Sequence, residues 1–345
     1  MDAATFVDHS YFSRDSPAAL RRRGRKEPAA SRGRRVRSRT VLQRVSQSPE
    51  DVQFYTGFTS LEHLLAFWSL IEPATSSLDW PEGSNSCNAA EKNQEDLDSP
   101  ADLTRLDEFL LFMSYLTSGW SLTELSQHFK THIATFTRII LTWANFLYGL
   151  LGSVRSWMTA AEVKAHLPRE FMDFIDTQVV IDCIELHCEA PSPRFHGQDL
   201  CPSHQSCCTL SGVVGMAPHG AVMFVSALGG PSASPREIFR QSGIRSLLSS
   251  DMAVMADERF QIEDLVPGRV HRLPPGSDSL QNASKGQAAL RVHVEDLFST
   301  LRENKVFSGS IPPSVCGSLN QLFTVACLLC NYQRGPLGTP FKQED

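Results

Sequence analysis

The chain has 345 residues, 41% of them hydrophobic and 20% charged, enough for about two domains and one sizeable core. Its longest apolar stretch near the middle, Ile139 to Gly149, is too short to cross a bilayer. The opening MDAATFVDHSYFSRDSP lacks a basic stretch leading into an apolar one, so neither a secretory signal nor a membrane span is expected. Nine cysteines without regular spacing argue against a disulfide scaffold and for a reducing compartment. The net charge of −6 hides an asymmetry: residues 21–44 hold eleven basic side chains and one acid, Glu27. Taking those from the totals of 32 basic and 38 acidic residues leaves a body with a net charge of −16.

Residues 1–50 lack hydrophobic periodicity and read as a disordered basic arm. Arg21, Arg22, Arg23, Arg25, Lys26, Arg34 and Arg35 carry its charge, and such arms serve nuclear import or nucleic-acid contact. The bland reading is a solvated leader. Residues 51–72 are expected to hold one amphipathic helix, with Thr59 or Ser60 as its cap and Pro73 after its end. Residues 73–101, rich in Ser, Pro, Asn and acids, read as a linker.

Residues 102–160 are expected to form a helix-turn-helix domain. Ser121 with Glu124 three residues on makes a capping box for a short helix. After a break at Lys130-Thr131-His132, a longer helix starts near Ile133. Helix, tight turn, longer helix suits a DNA-binding hairpin, and any helical hairpin shares the pattern. On the second helix, His132, Thr135, Thr137 and Arg138 are the candidates for DNA contact, with Thr131 before them.

From residue 176 the texture turns to strands. Gln178 to Leu186, Leu210 to Ala217 and Ala221 to Leu228 read as three strands, the last two joined by a Pro218-His219-Gly220 turn. A helix over Ser234 to Leu248, a strand over Met252 to Ala256, a short strand at Arg269 to Leu273 and a helix over Ala288 to Lys305 follow. This order predicts an α/β domain over residues 174–335, a ribonuclease-H-like mixed sheet flanked by helices and preceded by the all-α region.

Three acids stand out. Asp182 lies inside an otherwise apolar strand, where a charge is costly without a partner or a task. Asp257 ends the fourth strand, and Glu295 sits on the late helix. In that sheet order the three can converge. Three carboxylates suit two Mg²⁺ or Mn²⁺ ions roughly 3.5–4 Å apart, arranged for phosphodiester chemistry. The alternative is that Asp182 pairs with a base, Asp257 caps a turn and Glu295 is solvated. Cys201, His204, Cys207 and Cys208 cluster without a zinc-ligand frame, and Cys327 and Cys330 read as buried thiols.

The stretch LTRLDEFLLFMSYLTSGWSLTELSQHFKTHIATFTRIILTWANFLYGLL (103–151) resembles the helix-turn-helix of Harbinger-type DDE transposases and their domesticated relatives. The upstream FYTGF (54–58) and the later blocks VVIDCIELHCEAPS, SGVVGMAPHGAVMFVSALGG, MAVMADERF and LRVHVEDLFSTLR follow that family's order. The resemblance implies a ribonuclease-H-like core and places the family's catalytic, metal-binding acids on Asp182, Asp257 and Glu295. Arg291, Glu295 and Arg302 fit the last block. It further implies a divalent metal cofactor, DNA as substrate, a separate DNA-binding partner protein and a nuclear location.

The chain departs from that pattern around the acids. Pro235 stands where an acid is usual, Glu258 and Arg259 where a basic residue and glycine are usual, and Asp296 where arginine is usual. The segment 204–212 (HQSCCTLSG) lacks the expected lysines. Phosphate binding needs cations, so two readings stay open: an endonuclease-like protein, and a non-catalytic nuclear module for DNA or protein.

Overall fold

The computed structural model describes residues 40–78, 103–189, 207–273 and 285–334. The arm residues Arg21, Arg22, Arg23, Arg25, Lys26, Arg34 and Arg35, most of the expected linker, and Cys201 and His204 lie outside these segments.

The helical layer comes first. Helix α1 (Val41–Val45) is closed by a Thr40–Gln43 capping box. Residues 41–50, expected to belong to a disordered arm, therefore hold α1 and the start of α2 (Pro49–Thr56). The single helix expected over 51–72 is instead two. Ser48 caps α2, whose Pro49 opens the first turn. Gly57 then takes φ +74, a left-handed turn that stops it. Ser60 caps a new helix, α3 (Leu61–Ile71). A residue with a Cβ at position 57 would also meet the Gln333 side chain, whose amide donates to the Thr56 carbonyl at 2.9 Å.

Helix α4 (Arg105–Thr117) is buried on every side from Asp107 to Thr117. Helix α5 (Leu122–Phe129) starts on the Ser121–Glu124 capping box and ends at Lys130, which adopts φ +55. Helix α6 (Ile133–Gly152) buries Phe136, Ile139, Ile140, Trp143, Leu147 and Leu151. That spacing puts one continuous apolar stripe against α4 and the last helix. The short α7 (Ala160–Ala165) leads into the sheet.

Among the described residues the sheet has six strands: β1 (Thr177–Glu189), β2 (Cys207–Met216), β3 (Val222–Val225), β4 (Ala253–Ala256), β5 (Val270–Arg272) and β6 (Ser310–Ile311). Their order is β3-β2-β1-β4-β5, with β6 beside the far end of β1. β1, β2 and β3 run antiparallel, whereas β4, β5 and β6 join in parallel. Helix α8 (Pro235–Gln241) covers one face, where Val179, Ile181, Val254 and Ala256 meet Ile238 and Phe239. The other face carries Val180, Ile184 and Met255 and shares a single large core with the helical layer, α9 (Lys285–Arg302) and α10 (Leu319–Gln333). The all-α region and the sheet region thus share one core among the described residues.

Helix α10 fills the middle of that core. The segment Pro313–Gln333 is apolar and long enough to span a bilayer, yet it is a core helix packed against α6, β3 and α9. Its approach to β2 is close: a Cβ at Gly212 would lie 2.4 Å from the Phe323 ring. Cys327 and Cys330 are free thiols inside α10, and burial pushes the Cys330 thiol up to about 12. Cys208, expected as a reduced loop thiol, sits on β2 and is disulfide-bonded.

Candidate active site

Sheet register builds the site. β1 is thirteen residues long and β4 only four, so β4 flanks β1 only at Thr177 to Val180. The last pair in that ladder is Val180 with Met255. Two residues further along each segment come Asp182, still inside β1, and Asp257, the first residue past the end of β4. Because side chains alternate with period two, both acids share the face of Val180 and Met255, the face that α9 covers. β6 rejoins β1 only at His187 and Cys188, which leaves Asp182 beside a gap in the sheet.

Asp182 is 83% removed from solvent at its side chain, with 17% exposed. Both of its oxygens are occupied. Oδ1 accepts the Cys183 backbone N–H at 2.8 Å and an Arg259 guanidinium N–H at 3.0 Å. Oδ2 accepts from Arg302, in the last turn of α9, at 2.7 Å. Burial pushes the Asp182 carboxyl above its ordinary value, and the charge of Arg302, the Cys183 N–H and Arg259 only partly offset it.

Asp257 caps a short 3-10 turn, Glu258–Phe260. Its Oδ1 accepts the Arg259 backbone N–H at 2.9 Å and its Oδ2 the Arg259 Nε–H at 2.6 Å. Arg259 therefore spans both acids. Desolvation works against its charge, but hydrogen bonding and charge from Asp257, with Asp182 adding to them, hold the guanidinium above its ordinary value. Phe260, fully buried, anchors the turn from below, and Arg272 donates to the Asp257 carbonyl at 2.6 Å.

Glu295 does not join this pair. Its side chain is 60% exposed and accepts from Arg291 Nε, one helical turn back, at 2.6 Å. Glu295 and Arg302 are seven residues apart on α9, so they share a helix face but sit about 10 Å apart along the axis. Asp182 thus pairs with bases, Asp257 caps a turn and Glu295 stays solvated. Among the described residues no set of three His, Cys, Asp or Glu side chains could hold a metal ion. The donor chemistry agrees: every oxygen of Asp182 and Asp257 already accepts an N–H, and a guanidinium stands between them. The residues in this arrangement do not fit a divalent ion.

Sequence reasoning noted Arg259 as a departure and Arg302 as part of a pattern, but missed that both bind Asp182. The available signal was an arginine two residues after an acid at a strand end. The candidates for DNA contact are spread over the start of α6. His132 is exposed and caps the helix through its Nδ1, which accepts from the Ala134 N–H at 3.2 Å. Thr135 and Thr137 are half-buried. Arg138 is half-buried too, within electrostatic reach of the buried Glu108 carboxyl on α4.

Residues 181–331, from β1 to α10, match a family model described as DDE superfamily endonuclease. The match starts one residue before Asp182 and includes Asp257 and Glu295. It supports nuclease ancestry for this part of the chain. No curated protein and no solved structure matches the chain.

Proposed function

We propose that the chain is a Harbinger-type, transposase-derived protein with a ribonuclease-H-like domain, working as a non-catalytic DNA-binding module in the nucleus. The family match and the strand order β3-β2-β1-β4-β5 support the ancestry. One observation carries the loss of cleavage: the oxygens of Asp182 and Asp257 are taken up by Arg259, Arg302 and backbone N–H groups. DNA contact rests on the basic residues of segment 21–44, with His132, Thr135, Thr137 and Arg138 of a helix-turn-helix formed by α5 and α6 as a second surface. A separate DNA-binding protein supplies sequence preference in this reading. The arm also serves as the nuclear address.

A second reading, a metal-dependent endonuclease using Asp182, Asp257 and Glu295 with Mg²⁺ or Mn²⁺, is favoured by the register that sets the two aspartates side by side within the matched region. The two readings separate on supercoiled plasmid incubated with Mg²⁺ or Mn²⁺, comparing the full chain with Asp182→Ala. The proposal expects equal, background nicking from both. Nicking that vanishes in Asp182→Ala would establish the endonuclease. DNA affinity measured against salt should lose most of its slope when residues 21–39 are deleted, which leaves α1 and its Thr40 cap in place; an unchanged slope would remove the arm from DNA binding.

A further inference from the structure

The acid pair in the nuclease-matched region holds its own cation. Two carboxylates on one face of adjacent strands repel each other unless positive charge lies between them. In a metal site that charge is a divalent ion, and Mg²⁺ requires oxygen lone pairs at about 2.0–2.1 Å. Here the lone pairs point at N–H groups. Arg259 reaches Asp257 through Nε at 2.6 Å and Asp182 through a terminal nitrogen at 3.0 Å. Arg302 takes the remaining oxygen of Asp182 at 2.7 Å.

Arg259 has an advantage over any dissolved ion. It is tethered two residues from Asp257, in a turn that Asp257 itself caps. The residue after it, Phe260, is fully buried and holds the turn in place. The guanidinium is thus delivered to the acids at high effective concentration, and a metal must displace it and then sit beside Arg302. The third acid is engaged elsewhere, by Arg291.

We infer that Arg259 is a built-in counter-cation that takes the place of a divalent metal between Asp182 and Asp257, closing the site to Mg²⁺ and Mn²⁺. This rests on reading the pair as the remnant of a nuclease site. The folded domain gains independence from metal: its sheet end is neutralised without an ion. Removing the Arg259 side chain uncovers two adjacent carboxylates and opens a cation site.

The test is a Mn²⁺ titration of the full chain, read by the loss of the free-ion electron paramagnetic resonance signal, with circular dichroism to confirm folding. Wild type is expected to show no saturable binding at millimolar Mn²⁺. Arg259→Gln and Arg259→Ala are expected to gain one saturable site, with affinity raised on the order of 10–100-fold or more. That site should vanish again in Arg259→Gln/Asp182→Asn, and Arg259→Lys, which keeps the charge, should remain closed. Saturable, Asp182-dependent binding by wild type overturns the inference, as does a folded Arg259→Gln that binds no Mn²⁺. The latter result leaves the nuclease-derived reading standing, because DNA binding and plasmid nicking test that separately.

Discussion

Glu108 in the helical layer and Asp182 at the sheet end are both buried acids that meet arginine, and they do so differently. Glu108 sits on α4 with its side chain 4% exposed, receiving Arg105 from one turn back at 3.0 Å and the Trp143 indole N–H at 3.4 Å. Burial raises its pKa and Arg105 only partly opposes this. Its partners belong to the helices it helps to join. Asp182 draws its partners from 77 and 120 residues away, and their side chains are 60% and 51% exposed. The first cluster is sealed by an aromatic roof and serves packing. The second is open on one side, so its cations can be exchanged by substitution without taking the core apart.

The largest expected effect tests that contrast. Trp143→Ala removes the roof over Glu108 and should cost about 3–5 kcal/mol in urea unfolding. Arg302→Ala at the sheet end should cost about 1 kcal/mol or less, because its guanidinium is half in solvent. Similar losses at both positions would erase the distinction.

A smaller effect sharpens it through pH. The Asp182 carboxyl titrates above its ordinary 3.8, so the folded chain favours the protonated form. The stability this gives is complete below pH 3.8 and is lost as pH rises through the folded pKa. Asp182→Asn mimics the protonated acid and lacks that loss. The variant's stability advantage should therefore widen as pH rises from below 3.8 and then stay constant. A gap that narrows over the same range would mean that the arginines outweigh burial.

The smallest effect concerns an acid whose side chain is mostly in solvent. Asp264 is paired with both terminal nitrogens of Arg236 at 2.7 Å, and hydrogen bonding to that guanidinium is the main reason its pKa is lowered to about 2. A lowered acid stabilises the fold above 3.8 and loses that contribution as pH falls through about 2. In Arg236→Ala, the Asp264 resonance followed by NMR should titrate above its wild-type position, and the unfolding midpoint at neutral pH should fall by less than in Arg302→Ala because solvent screens this exposed pair. A midpoint change as large as that of Arg302→Ala would place this exposed pair with the sheet-end cluster.

The strand pattern was readable because β-branched runs and the Pro218-His219-Gly220 turn mark the strands directly. The two aspartates were readable as a charge inside an apolar run and an acid ending another. Their juxtaposition depends on register, which the four-residue β4 sets only once paired with β1. Arg259 stood out only as a departure, and its role was hidden because an arginine beside acids looks like ordinary surface charge until a contact across 77 residues is seen. The start of α3 was readable from the Ser60 cap, whereas α2 as a separate helix was hidden, because apolar periodicity runs through Gly57 and its left-handed backbone shows only in the structure. Arg138, read as a candidate for DNA contact, is half-buried and its charge reaches the Glu108 carboxyl on α4, a neighbour that helix position alone does not reveal.

The amide of Gln333 that closes on Thr56 joins groups 277 residues apart. Helix α10, which carries it, also supplies the apolar surface on which α6, β3 and α9 pack. During synthesis the helical layer must wait, its apolar stripes uncovered, until nearly all of the described chain has left the ribosome. Such long-range closure raises contact order and slows folding, and it leaves apolar surface exposed on the half-made chain.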